Sequence, residues 1–175
     1  PELMQMVYGV MDPVSADKAG IKRPALAGGK QQAVVVPQNS GVKAYMEAIK
    51  KRAIGIRKNP KQMLPDNMLS IVNDGRKAAM DMRLIDPSYP DDEHTKTNAA
   101  VEKIMVIYKR EAEKKGTQLV FADLGVPNKK KFSIYDDLKN KLVKQGIPAS
   151  EIAFVHDAKN DRERKAMFAK VTTGK

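Results

Sequence analysis

The chain contains no cysteine, which rules out disulfides and thiolate zinc sites. It has no tryptophan, only 2 histidines, and aromatic residues make up 5% of it. Neither His94 nor His156 has a carboxylate at metal-ligand spacing, so no metal site is expected. No apolar run comes near the ~20 residues that a bilayer span needs, so no membrane partner is expected. Pro1-Glu2-Leu3-Met4 lacks a basic start and a long apolar stretch; no secretory leader is expected, and the cytoplasm is the expected location. A phosphate-binding loop is missing as well. Gly28-Gly29-Lys30 comes nearest, but Gln31 stands where the pattern needs a hydroxyl, and the upstream glycine is lacking. Neither a glycine-rich methyl-donor loop nor an Asn/Asp-Pro-Pro-Tyr string is present, so methyltransferase chemistry has little support.

What the chain has in excess is positive charge. Its 175 residues carry 32 Lys and Arg against 21 Asp and Glu, a net charge of +11. Such a surplus favours a polyanionic partner over an acidic-substrate enzyme. The length suffices for one domain, or for a smaller core with extended approaches.

Local patterning divides the chain in three. Residues 1–30 read as a short amphipathic helix, with Leu3, Met6, Val7 and Val10 on one stripe, followed by a Pro/Gly/Ala/Lys linker. Residues 31–116 read as a strand from Gln31 to Val36 closed by Pro37, then helices. In the first, capped by Asn39 or Ser40, Val42, Tyr45, Met46, Ile49, Ala53 and Ile56 hold the apolar stripe. Its opposite face carries Lys43, Lys50, Lys51, Arg57 and Lys58 and is read as solvated. The next helix turns Met68, Leu69, Val72, Ala79 and Met80 inward, and a third, from about Thr97 to Lys114, buries Val101 and Ile104. Residues 117–175 read as strand, helix, strand, helix. Gln118–Asp123 and Glu151–Asp157 are apolar runs of strand length; Ser133 and Asn160 each start a helix, and Gly146 with Pro148 ends the first of these. The spacing predicts a right-handed parallel crossover and hence an α/β fold.

Two sets of strings carry a resemblance. His156-Asp157, Asn160, Glu163-Arg164, Val171 and Gly174 are similar in order and spacing to a stretch of the second RecA-like domain of superfamily two helicases, although Asp157 replaces that family's glycine. Asn67-Met68-Leu69 and Asp74 to Pro87 (DGRKAAMDMRLIDP) resemble the helicase part of large helicase and DNA-methylase proteins of phages and mobile elements, within the Swi/Snf-like group. The resemblance implies a partial RecA-like parallel sheet flanked by helices, with a helical approach segment, cut short before the fifth and sixth motifs. It implies a DNA-dependent motor whose phosphate loop, magnesium-holding acids and arginine finger lie outside this chain. ATP and Mg²⁺ are then expected for a full-length parent, with no cofactor bound and no catalytic residue contributed by this stretch, and no ATPase activity from it alone.

The expected partners are DNA, through sequence-independent backbone contact, and the first RecA-like domain of the same parent. The candidate contacts are Lys129, Lys130 and Lys131 in the loop after the first strand, and His156, Lys159, Asn160, Arg162 and Arg164 after the second. An ion pair with the fold's own acids is the plainer expectation for Arg164. The rival reading is a non-enzymatic basic α/β module that binds RNA or a protein.

Overall fold

The computed structural model describes residues 2–12, 14, 18–21, 25–26, 28–58, 66–128 and 131–174, with the side chains of Leu3, Met4 and Val7 excepted. The chain divides into two compact units, Pro1–Val34 and Val35–Lys175. The first holds helix α1 (Glu2–Val10), on which Met6 and Val10 are exposed. A tight turn follows later in that unit, where the Gly29 N–H donates to the Leu26 carbonyl.

The second unit is helical. Its elements are α2 (Ser40–Lys58), α3 (Met68–Met80), a 3-10 turn at Met82–Leu84, α4 (Lys96–Arg110), α5 (Ile134–Lys144), 3-10 turns at Ala149–Glu151 and Val155–Asp157, and α6 (Asp161–Thr173). Short polar side chains start these helices by taking amide hydrogens that have no partner within the helix. Asn67, Thr95, Ser133 and Asn160 each accept from the N–H three residues on. The stop at α6 is Gly174 in the left-handed region, φ 64°.

Apolar packing concentrates between α4 and α5. Val101, Met105, Leu142 and Ile147 form one buried cluster, with Ile104, Tyr108, Leu138 and Ile152 packed against it. Full burial of such side chains contributes about 1.5–3 kcal/mol each, so this cluster is the main apolar anchor of the unit. On α3 the inward residues are Ile71 and Ala78, whereas Met68, Leu69, Val72 and Ala79 face solvent. The stripe expected from the sequence was therefore set on the wrong side. Polar Asp74 and Gly75 occupy the side turned to α2, with Ile49 of α2 3.7 Å from where a Cβ on Gly75 would stand.

The expected parallel sheet is not formed: no strand occurs among the described residues. A strand is a pairing arrangement, and an apolar run becomes one only when a neighbouring backbone offers a ladder. Residues 31–36 are irregular, with Val35 87% exposed. Leu119, Val120 and Phe121 are also exposed, Phe121 at 88%. Side chains tether that segment instead: the Gln118 amide donates to the Ile104 carbonyl at 3.1 Å, and the Tyr135 hydroxyl to the Ala122 carbonyl at 2.8 Å. The second presumed strand is bracketed by the two 3-10 turns, so only residues 152–154 stay extended. The α/β, RecA-like expectation is corrected to an all-helical arrangement.

Candidate nucleic-acid interface

Tyr135, in the first turn of α5, gathers the two loops that hold the candidate contacts. Its hydroxyl fixes Ala122, and its ring meets Phe154 and His156 edge-on, at 5.6 and 5.2 Å between centroids. The segments leading into α5 and α6 thus lie together. Gly125 completes the junction. At φ 71° it occupies the left-handed region, and its carbonyl accepts from both Ile134 and Tyr135 N–H groups.

That arrangement takes up the first-turn amides of α5 and part of those at α6. At α5, Ile134 and Tyr135 donate to Gly125, and Asp136 donates to Ser133 Oγ at 3.1 Å. Asp136 and Asp137 add negative charge to the same turn, so an anion is disfavoured there. At α6, the Glu163 N–H donates to Asn160 Oδ1 at 2.9 Å, and the Glu163 carboxylate accepts from Lys159 N at 2.8 Å and from Asn160 Nδ2 at 3.0 Å. This reciprocal box makes Asn160 a cap. At the start of α5 the amides beside the lysine triplet are therefore already bonded within the fold, and the contribution left to that loop is its cationic side chains.

Those side chains differ in availability. Arg164 Nη1 lies 3.1 Å from Asp161 Oδ1, an exposed pair one turn apart. His156 is exposed and rests against Tyr135. Lys131, Lys159 and Arg162 are exposed and have no ion-pair partner among the described residues. Lys129 and Lys130 lie outside the described residues.

Several acids of the second unit are drawn into ion networks around buried or half-buried cations, which sequence reading missed. Arg83 is 8% exposed. Its Nε and Nη2 bond Asp81 at 2.9 and 2.7 Å, its Nη1 and Nη2 bond Asp137 at 3.3 and 2.9 Å, and Asp91 lies 3.0 Å from Nη2. The guanidinium stacks 4.3 Å over the Phe132 ring. Lys141 joins Asp91 and Asp137 from one helical turn further along, each at 2.8 Å. Burial alone would lower the Arg83 pKa, but the hydrogen bonds it donates to Asp81 and Asp137 hold it above the ordinary value. Burial would likewise raise the Asp91 carboxyl; the Lys141 hydrogen bond and the Arg83 and Lys141 charges bring it below the usual range. A second knot joins α2 to the start of α3: Arg52 holds Asp66 at 2.6 Å and Asp74 at 3.0 Å. The Asp137 and Lys141 spacing was a visible signal; the Arg83 and Asp137 pairing, 54 residues apart, was not.

Asp81, Asp91 and Asp137 offer carboxylate oxygens within 4.8 Å of one another, a grouping of the metal-ligand kind. Arg83 and Lys141 supply its counter-charge, so these acids work as a structural ion network. A cavity of about 410 Å³ lies between the start of α2, the end of α3 and the 89–96 loop, with Tyr89, Asp92, His94 and Lys96 on its wall. Asn39 already takes the Val42 N–H at 2.8 Å and the Lys43 N–H at 3.1 Å at its α2 side.

Compared with protein-family models, curated proteins and solved structures, the chain finds no match in any of the three.

Proposed function

We propose that this chain is part of a DNA-dependent motor of the superfamily two helicase type and supplies sequence-independent contact with the nucleic-acid backbone. The observation that carries the reading is a surplus of exposed cations over acids, to which the internal ion networks add. Arg52, Arg83 and Lys141 absorb Asp66, Asp74, Asp81, Asp91 and Asp137 within the fold. The remaining surplus of a chain with net charge +11 is carried by exposed lysines and arginines. A surface of that kind releases counterions from a phosphate lattice and steers it in from a distance. In this reading ATP and Mg²⁺ belong to other parts of the parent, whose first RecA-like domain is the partner within the motor, and this chain alone hydrolyses no ATP. The reading assigns the parent to the cytoplasm, where a phage or mobile-element motor meets its track. No helix among the described residues is long and apolar enough to cross a membrane.

The test is fluorescence anisotropy of the 175-residue chain with labelled duplex and single-stranded DNA of unrelated sequences. Binding at low salt, similar between sequences and falling linearly in log–log form as salt rises, is the expected result. Absence of binding at about 50 mM salt, or affinity unchanged by salt, would overturn the reading. A preference for RNA that DNA cannot compete away would favour the basic interaction module instead.

A further inference from the structure

We propose that the outward face of α2 is a phosphate-tracking surface for duplex DNA, separate from the loops around Tyr135. The inference rests on the nucleic-acid reading above and deepens it by naming the face and the form of the track.

Helix α2 is 19 residues long, and Lys43, Lys50, Lys51, Arg57 and Lys58 are all exposed on it. At about 100° per residue they fall within roughly 120° of arc, and at about 1.5 Å rise per residue they run along roughly 22 Å. The opposite side is committed to the fold. Tyr45, Met46, Ile49, Arg52, Ala53 and Ile56 are partly buried, and Arg52 is the one α2 cation drawn to the α3 acids. The acids within reach are thus used by the inward arginine, which leaves the outward cations uncompensated. Glu47 is the only acid on α2; its contact with Lys50 is 3.9 Å long, and both side chains are 68% exposed. Such a pair is weak and easily exchanged for a phosphate.

The face fits duplex better than single strands. A helix holds its cations at fixed spacing, with Lys43, Lys50 and Arg57 each two turns apart, about 10.5 Å. That rigid row suits a rigid phosphate lattice. Single-strand readers combine charge with aromatic platforms for base stacking, and the only aromatic on α2, Tyr45, is on its inward side. An anionic lipid surface would be gripped by buried apolar side chains as well as by charge; Ile54, 45% exposed, is the only large aliphatic residue on this face.

The experiment compares the wild-type chain with a variant in which Lys43, Lys50, Lys51, Arg57 and Lys58 are all changed to Gln, and with a Lys131/Lys159/Arg162→Gln loop variant. Circular dichroism establishes that each is folded. Duplex affinity is then measured from about 50 to 200 mM salt, and vesicles rich in phosphatidylserine serve as a second polyanion. Each lost phosphate contact lowers the log–log salt slope by about 0.9. The α2 variant should therefore flatten the slope by about 4.5 and bind duplex at least ~100-fold more weakly at low salt, whereas the loop variant changes it by less than about 3. Glu47→Lys should steepen the slope by about 1. An α2 variant that binds duplex as wild type does, while the wild type shows salt-sensitive binding, would sink this inference and leave the proposed function standing. A wild type that binds no DNA would sink both. Vesicle binding without duplex binding would overturn the assignment of the face to DNA.

Discussion

Replacing Arg83 with methionine should be among the most damaging single changes in the second unit, and its cost can be worked out from the ion network. Lys141 would still pair with both Asp91 and Asp137, from which it stands 2.8 Å away. Asp81 would not be so served. Its side chain is 1% exposed, and it would keep only the backbone N–H of residue 83, now at 2.9 Å from Oδ1. Breaking a buried pair and stranding one charge costs about 3–5 kcal/mol; the surviving N–H bond points to the low end, about 3 kcal/mol. Loss of the guanidinium stack on Phe132 adds roughly 0.5–1 kcal/mol. With a urea m-value of about 1–3 kcal/mol/M, the midpoint should fall by more than 1 M. The decisive comparison is Asp81→Asn with Arg83→Met, which removes the stranded charge and should recover about half of the loss. A single variant within about 1 kcal/mol of wild type, or a double variant as unstable as the two singles summed, would refute the reasoning.

Three further outcomes are expected. Gly125→Ala forces a Cβ to 2.5 Å from Ile134 Cγ1 at φ +71°; strain plus overpacking should cost about 2–4 kcal/mol, read by thermal unfolding. Asn160→Ala removes the cap of a helix with no buried side chain, so about 1 kcal/mol should be lost locally, seen as faster amide exchange at residues 162–164 rather than in the global melt. Asp91 has a folded pKa below its unfolded value, so its contribution is present above about pH 4 and fades as pH falls through the folded pKa. The stability difference between wild type and Asp91→Asn should hold at pH 7 and close below about pH 4, measured by urea titration at each pH.

Helix starts and stops were legible because they depend on neighbours within a turn. Ser133, Asn160 and Gly146 mark boundaries close to those observed, whereas Gly174, which stops α6, was not read as a stop. The strands were not legible, since apolar runs such as Leu119–Phe121 do not reveal whether a second backbone is present to pair with them. The inward side of α3 was misjudged because hydrophobicity was scored without Arg52, which draws Asp74 towards α2. Part of the string carrying the family resemblance has a structural use: Asp74, Asp81 and Arg83 all serve the ion networks. At the candidate interface, sequence located the loops, and Tyr135 does bring them together. What spacing left out was how fully Gly125, Ser133 and Glu163 would occupy the amides beside the lysines.

The uncovered stretch at Leu119–Phe121 bears on how copies of this chain treat one another. An apolar segment without a ladder partner is a template for a neighbour's strand, and mutual repulsion from the +11 charge opposes such pairing. That repulsion reaches about 10 Å at 0.1 M salt and about 3 Å at 1 M. Concentrated brine should therefore bring on turbidity, and a long polyanion that cancels the charge and lines molecules side by side should do so at far lower ionic strength.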